Sequence, residues 1–161
     1  MNDTYIALSG RIRLELVELE RVAERTRTIW AQATRSPDDF LVDAAALNLH
    51  GFYAGLERVF ESIATRVDHS MPTGDAWHVE LLRQMAAELP GVRPPVLSGA
   101  LVDQLDRYRG FRHVVRNVYT YRLDPRQIAP LVEDLETVEV QLRSELNAFA
   151  DRVERIGAAG D

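Results

Sequence analysis

The sequence predicts an all-α protein, and three observations carry that prediction. Apolar residues recur at three- and four-residue spacing along most of the 161-residue chain. No alternating β pattern runs beyond a few residues. The interruptions fall where proline, glycine and capping residues cluster. There is no internal repeat, and the expected architecture is an antiparallel bundle of four long helices plus one short helix, forming a single domain over 1–161.

The first helix is expected over about 4–34, where Ile12, Leu16, Leu19, Val22, Thr26 and Ile29 share one stripe. Ser36-Pro37-Asp38-Asp39 reads as a new start, with serine as cap, proline in the first turn and acidic groups at the positive end of the dipole. The second helix then carries Phe40, Leu41, Ala44, Leu47, Phe52, Leu56, Val59, Phe60 and Ile63 to about Val67. Gly51 and Gly55 lie one turn apart in it. Each costs helix stability, so both are expected to mark a close helix contact.

His69-Ser70-Met71-Pro72-Thr73-Gly74-Asp75 is a break, followed by a short helix over about 76–89 burying Trp77, Leu81 and Met85. Pro90-Gly91-Val92-Arg93-Pro94-Pro95 is a second break. The fourth helix is expected over about 99–121. Asp124-Pro125 opens the fifth, whose stripe is Ile128, Leu131, Leu135, Val138, Leu142, Leu146, Phe149 and Val153.

Composition narrows the chemistry. With no cysteine, disulfides, thiolate zinc sites and cysteine nucleophiles are excluded. No His-Glu-x-x-His run suggests a metal site, and no glycine-rich phosphate loop or other cofactor motif is present. Met1-Asn2-Asp3-Thr4-Tyr5 lacks a basic start and apolar run, and no stretch reaches the roughly 20 apolar residues of a membrane span. A soluble, cytoplasmic protein without membrane partners is expected.

Charge is where the sequence becomes specific. All 19 basic residues are arginine, and the net charge is -6. The window 103–126 nevertheless holds six arginines (107, 109, 112, 116, 122, 126) against three aspartates (103, 106, 124), so it carries +3 and the rest of the chain -9. At about 100° per residue, Tyr108, Phe111, Val114, Val115 and Val118 fall on one side of the fourth helix. Arg109, Arg112, Arg116, His113, Asn117 and Thr120 fall on the other, with Tyr119 at the edge. One explanation is a solvated face paired with Glu133, Asp134, Glu136 and Glu139 of the fifth helix. The alternative is an anion site. Clustered arginines repel one another, and an imidazole, an amide and a phenol are interleaved with them. Arginine binds phosphate through a planar fork, and imidazole moves protons near neutral pH.

The string Phe111-Arg112-His113-Val114-Val115-Arg116-Asn117-Val118-Tyr119 resembles the Arg-x4-6-His signature of the HEPN superfamily, in the extended Arg-x4-His-x-Tyr form of its HepT-like toxins. Gly51-Phe52-Tyr53-Ala54-Gly55-Leu56-Glu57-Arg58 and Thr73-Gly74-Asp75-Ala76-Trp77-His78 are also similar to HepT-like sequence. The resemblance covers roughly 80 residues. It implies a HEPN-like helical bundle and a toxin that is a metal-independent RNA endonuclease, built as a homodimer with both motifs near the two-fold axis. It further implies a nucleotidyltransferase-like (MNT) antitoxin that inactivates by attaching AMP to the motif tyrosine. On this chain Arg112 matches the catalytic arginine, Asn117 the histidine and Tyr119 the modified tyrosine, with Arg109 and Arg116 beside them as RNA-binding residues.

The sequence departs from the motif at Asn117, which cannot titrate and so cannot be a general acid or base. Three readings follow. His113 satisfies the looser spacing from Arg107 and lies about 40° from Asn117, so it can serve as the catalytic histidine. Alternatively, Asn117 only orients the ribose hydroxyl or phosphate, and arginine electrostatics carry catalysis. In the third, the nuclease is lost and the fold is kept as a non-catalytic module binding a partner protein or nucleotide. Glu57, a charge within an apolar stretch, is a supporting candidate that holds an arginine of the fourth helix or pairs with Arg58 or Arg66. His50 reads as a partly buried hydrogen-bonded residue. Trp77 and His78 read as the anchor of the short helix.

Overall fold

A computed structural model describes residues 3–160; Met1 and Asn2 of the expected leaderless start, and Asp161 at the far end of the expected domain, lie outside the described residues. Five α-helices follow in order: α1 (Asp3–Arg35), α2 (Asp39–Arg66), α3 (Trp77–Ala86), α4 (Gly99–Asn117) and α5 (Pro125–Ala159). A 3-10 turn, Thr120–Arg122, joins the last two. Among the described residues there is no strand, only an isolated antiparallel bridge between Leu89 and Arg93. None of the helices is long and apolar enough to cross a membrane.

α1 lies between α2 and α5. Arg13 pairs with Glu154 at 2.9 Å, Glu20 with Arg143 at 2.9 Å and Arg27 with Glu136 at 3.5 Å, a descending order that makes α1 and α5 antiparallel. The α1 stripe Leu8, Ile12, Leu16, Leu19 and the whole expected α5 stripe are buried. They enclose Phe52, Leu56, Phe60 and Ile63 of α2 in one core. Each such side chain contributes on the order of 1.5–3 kcal/mol by leaving water.

α4 closes the bundle through Leu101, Leu105, Tyr108 and Phe111, all buried. The Tyr108 hydroxyl donates to the Leu131 carbonyl of α5 at 2.7 Å. The break after α3 is held by a buried ion pair. Arg93 donates to both carboxylate oxygens of Asp68 at 2.5 and 2.7 Å, and also to the carbonyls of Gln84, Ala87 and Pro94. That clamp fixes α3 against the end of α2.

Several boundaries differ from the sequence reading. Asp38, not Ser36, caps α2, accepting from the Phe40 amide at 2.9 Å, and Pro37 stays outside the helix. Phe40 and Leu47 are exposed because they lie on the side of α2 opposite Ala45, Leu49 and Phe52, where no helix covers them. Gly55 does sit at a close contact: a Cβ there would meet Glu15 Oε1 at 2.8 Å and Leu19 Cδ2 at 3.1 Å. Gly51 is exposed with open space around it. α3 ends at Ala86, three residues short of the expected end, because Val96 and Leu97 amides turn back onto the Met85 carbonyl. Trp77 is only half-buried.

α4 ends at Asn117 rather than at residue 121. Val118 is extended, the Asn117 amide bonds back to the His113 carbonyl at 2.7 Å, and the chain turns so that Leu123 is buried and Asp124 caps α5. Tyr119 and Thr120 are therefore off the helix. The apolar side of α4 is fully buried only as far as Phe111; Val114 and Val115 are half-buried and Val118 is exposed.

Candidate functional site

The site grows from a charge placed inside an apolar helix. Glu57 sits on the core side of α2 among Phe52, Leu56 and Phe60, with only 5% of its side chain exposed. A carboxylate removed from water needs partners. It has two. Arg112 Nη1 of α4 donates to Oε1 at 2.9 Å, and His78 Nδ1 at the start of α3 lies 2.8 Å from Oε2. Arg112 Nη1 is also 3.2 Å from His78 Nδ1, so the three side chains form one cluster joining α2, α3 and α4.

Nδ1 lies between a carboxylate oxygen at 2.8 Å and the donor-only Arg112 Nη1 at 3.2 Å, and the shorter, charge-assisted contact favours the tautomer protonated on Nδ1. Were Nδ1 unprotonated, its lone pair would face a carboxylate oxygen at 2.8 Å. Protonated, it donates to that oxygen, and the acceptor lone pair of the neutral ring lies on Nε2. The imidazole is held from the other side by Trp77, with ring centroids 3.6 Å apart and planes 30° from parallel. Neither Arg112 nor His78 is sealed in; their side chains are 17% and 27% exposed. Arg112 Nε is buried without a partner.

The remaining charged residues surround this cluster unequally. Arg107 pairs with Asp134 of α5 at 2.8 Å, and Arg109 pairs with Asp106 of its own helix at 2.6 Å. Among the described residues Arg116 has no carboxylate partner, and it is exposed. Among the described residues none of the stripe arginines pairs with α5; Arg107, off the stripe, pairs with Asp134, and Glu136 and Glu139 pair with Arg27 and Arg143. His50, two turns before Glu57 on α2, feels the arginines directly. Burial, with Arg112 and Arg116 beside it, holds its imidazole below the usual histidine range, against a weaker opposing pull from Glu57. Burial also raises the Tyr53 phenol above its ordinary range; its hydroxyl has no partner.

The other motif positions lie apart from the cluster. Asn117 is about 140° around α4 from Arg112, and its amide is spent on the His113 carbonyl, with the His113 ring nitrogen Nδ1 at 3.3 Å. His113 is exposed and contacts no residue of the Glu57 cluster. Tyr119, 73% exposed, stacks on Tyr121 with centroids 5.9 Å apart and planes 9° from parallel, and the Arg122 guanidinium lies 5.6 Å from the Tyr121 ring centre. Glu57 is thus brought to Arg112, Arg116 lies one turn further along α4, Asn117 and His113 face elsewhere on the same end of that helix, and Tyr119 lies beyond it.

The residue that sequence reasoning did not assign to the site is His78. Its signal was present as the string Trp77-His78 at a helix start, but the 21 residues separating it from Glu57 hide the contact. No group of three or more His, Asp or Glu side chains among the described residues is arranged to hold a metal ion.

Comparison with the curated proteins and with the solved structures gives no match for this chain. A family model described as HepT-like protein matches residues 44–153, which spans the second turn of α2 through most of α5 and includes Glu57, His78 and Arg112. The match covers more than half of the sequence and includes all three members of the buried cluster, and the chain belongs to the HepT-like family of the HEPN superfamily.

Proposed function

We propose that this protein is the toxin of a toxin–antitoxin pair, an RNA endonuclease that works as a homodimer and is neutralised by an MNT-type nucleotidyltransferase antitoxin. The observation that carries this reading is the Arg112 guanidinium, oriented by a buried carboxylate and left partly open to solvent one turn from Arg116, which has no carboxylate partner among the described residues. A fork held in place loses little freedom on binding a phosphodiester, and its charge is aimed where the phosphorane develops negative charge. Arg109 and Arg116 supply the surrounding positive field for the RNA backbone. The reaction needs no metal: the ribose 2′-oxygen attacks the adjacent phosphorus, and the arginine stabilises the transition state. Tyr119, exposed beyond the helix, is accessible to a modifying enzyme, and AMP on it would set a phosphate and a nucleoside beside the stripe.

One observation favours the alternative of a non-catalytic module. Asn117 takes the motif position of the histidine and has its amide engaged by its own helix. Controlled expression separates the two readings. A nuclease toxin arrests growth and fragments cellular RNA, Arg112→Ala abolishes both effects, and co-expression of the partner nucleotidyltransferase relieves them. A protein that is harmless when expressed alone, yet still binds that partner, is the module.

A further inference from the structure

The missing motif histidine leaves the ribonuclease reading without a proton acceptor, and the structure holds three histidines near α4 from which one can be chosen. His113 is exposed, and its described contact is with Asn117, one turn along its own helix. Nothing orients it. Burial, and then the field of Arg112 and Arg116, disfavours the protonated form of His50, and its ring has no hydrogen-bond partner among the described residues. His78 differs from both. Its Nδ1 lies 2.8 Å from the oxygen of a carboxylate buried to 5% exposure, its ring lies on Trp77, and its Nε2 has no partner among the described residues and is not buried.

We propose that His78 is the general base of this site, oriented by Glu57 and placed beside Arg112, and that it supplies the proton-transfer chemistry absent from Asn117. The inference rests on the ribonuclease reading above. In the step, His78 Nε2 takes the proton of the ribose 2′-hydroxyl as the 2′-oxygen bonds to the adjacent phosphorus. The bond from phosphorus to the 5′-oxygen breaks, that oxygen takes a proton from water, and the hydroxide left is neutralised by the proton His78 then releases, which restores the free base. The products are a 2′,3′-cyclic phosphate and a free 5′-hydroxyl, with no oxidant or metal consumed. Glu57 has two tasks in one geometry. Its Oε2 orients the ring and stabilises the imidazolium that forms, while Oε1 holds Arg112 Nη1 and so sets where the partly exposed guanidinium meets a phosphate. Arg112 Nη1, only 3.2 Å from Nδ1, keeps base and phosphate clamp within one residue's reach of each other.

The test uses the purified full chain, without added metal, on a pool of end-labelled mixed-sequence single-stranded RNA. His78→Asn keeps an N–H donor for Glu57 and removes the base; His78→Ala removes both and opens a space against Trp77. The expected result is a loss of roughly 100-fold or more in both variants. Millimolar imidazole should then restore part of the activity of His78→Ala, with 2′,3′-cyclic phosphate ends. Wild-type rates in a folded His78→Asn, with Arg112→Ala still inactive, overturn the role of His78 and leave the nuclease reading standing. Loss in both variants with no response to imidazole also overturns it, because that is the signature of a structural residue. A wild-type chain that cuts no RNA removes the nuclease reading and this inference with it. Should His78→Ala fail to fold, His78→Asn decides the question.

Discussion

Removing Glu57 should loosen three helices at once, and the size of the effect can be worked from its partners. Glu57→Ala leaves the Arg112 guanidinium without its 2.9 Å acceptor and His78 Nδ1 without its 2.8 Å acceptor, both in a setting where the lost carboxylate was 5% exposed. Stranding one member of a buried pair costs about 3–5 kcal/mol. Arg112 and His78 retain 17% and 27% exposure, so water relieves part of that, and the expected loss is about 3 kcal/mol, at the low end of that range. For a chain of this length this corresponds to a fall in Tm of about 6–12 °C. Glu57→Gln keeps an acceptor for Arg112 but loses the charge, and should cost about half as much. Replacing both members, Glu57→Leu with Arg112→Met, should recover most of the loss, because no charge is then left unpaired. Urea unfolding followed by helical circular dichroism reads all three. A loss below about 1 kcal/mol for Glu57→Ala, or no recovery in the double variant, would refute the claim that these groups depend on one another.

Three further outcomes follow from the fold. Asp68→Ala strands Arg93, whose side chain is 2% exposed, and should cost more than Glu57→Ala, about 4–5 kcal/mol by thermal or urea unfolding. Gly51→Ala meets open space and should stabilise by about 0.5–1 kcal/mol, whereas Gly55→Ala must displace Glu15 and Leu19 and should fall short of that gain by about 1 kcal/mol or more. His50 should titrate below free histidine by NMR, and Arg116→Ala should move it upward. Because its folded value is lowered, the unfolded chain takes up the proton first. The His50 contribution is therefore complete above the free-histidine range and is lost as pH falls through it. An unchanged titration in Arg116→Ala would show that the arginine does not face the imidazole.

The helices were legible because the periodicity of Leu142, Leu146, Phe149 and Val153 answers to a single physical demand, burial of one face. The end of α4 was not, since residues 118–121 carry no glycine or proline to stop a helix. What turns the chain is the burial of Leu123 and the cap at Asp124, both tertiary facts. Phe40 and Leu47 are apolar residues of the second helix that stay exposed, because hydrophobicity reports that a side chain prefers burial, not that a neighbour exists to cover it. Arg112 could be found from a motif of adjacent residues on one helix. The Glu57–His78 contact could not, as it joins two helices across a 21-residue separation and depends on how α3 is clamped by Arg93 and Asp68. Asn117 illustrates the reverse. Its place in the motif is plain from the sequence, yet the structure turns its amide onto its own helix.

The most direct measurement is cleavage of mixed-sequence RNA by the purified chain in excess chelator, compared with Arg112→Ala of equal helicity and Tm. The account predicts metal-free cutting to 2′,3′-cyclic phosphate ends by the wild-type chain and loss of at least about 1,000-fold in Arg112→Ala, on the scale of removing a transition-state donor. Equal cutting by both proteins, or none by either, would contradict it.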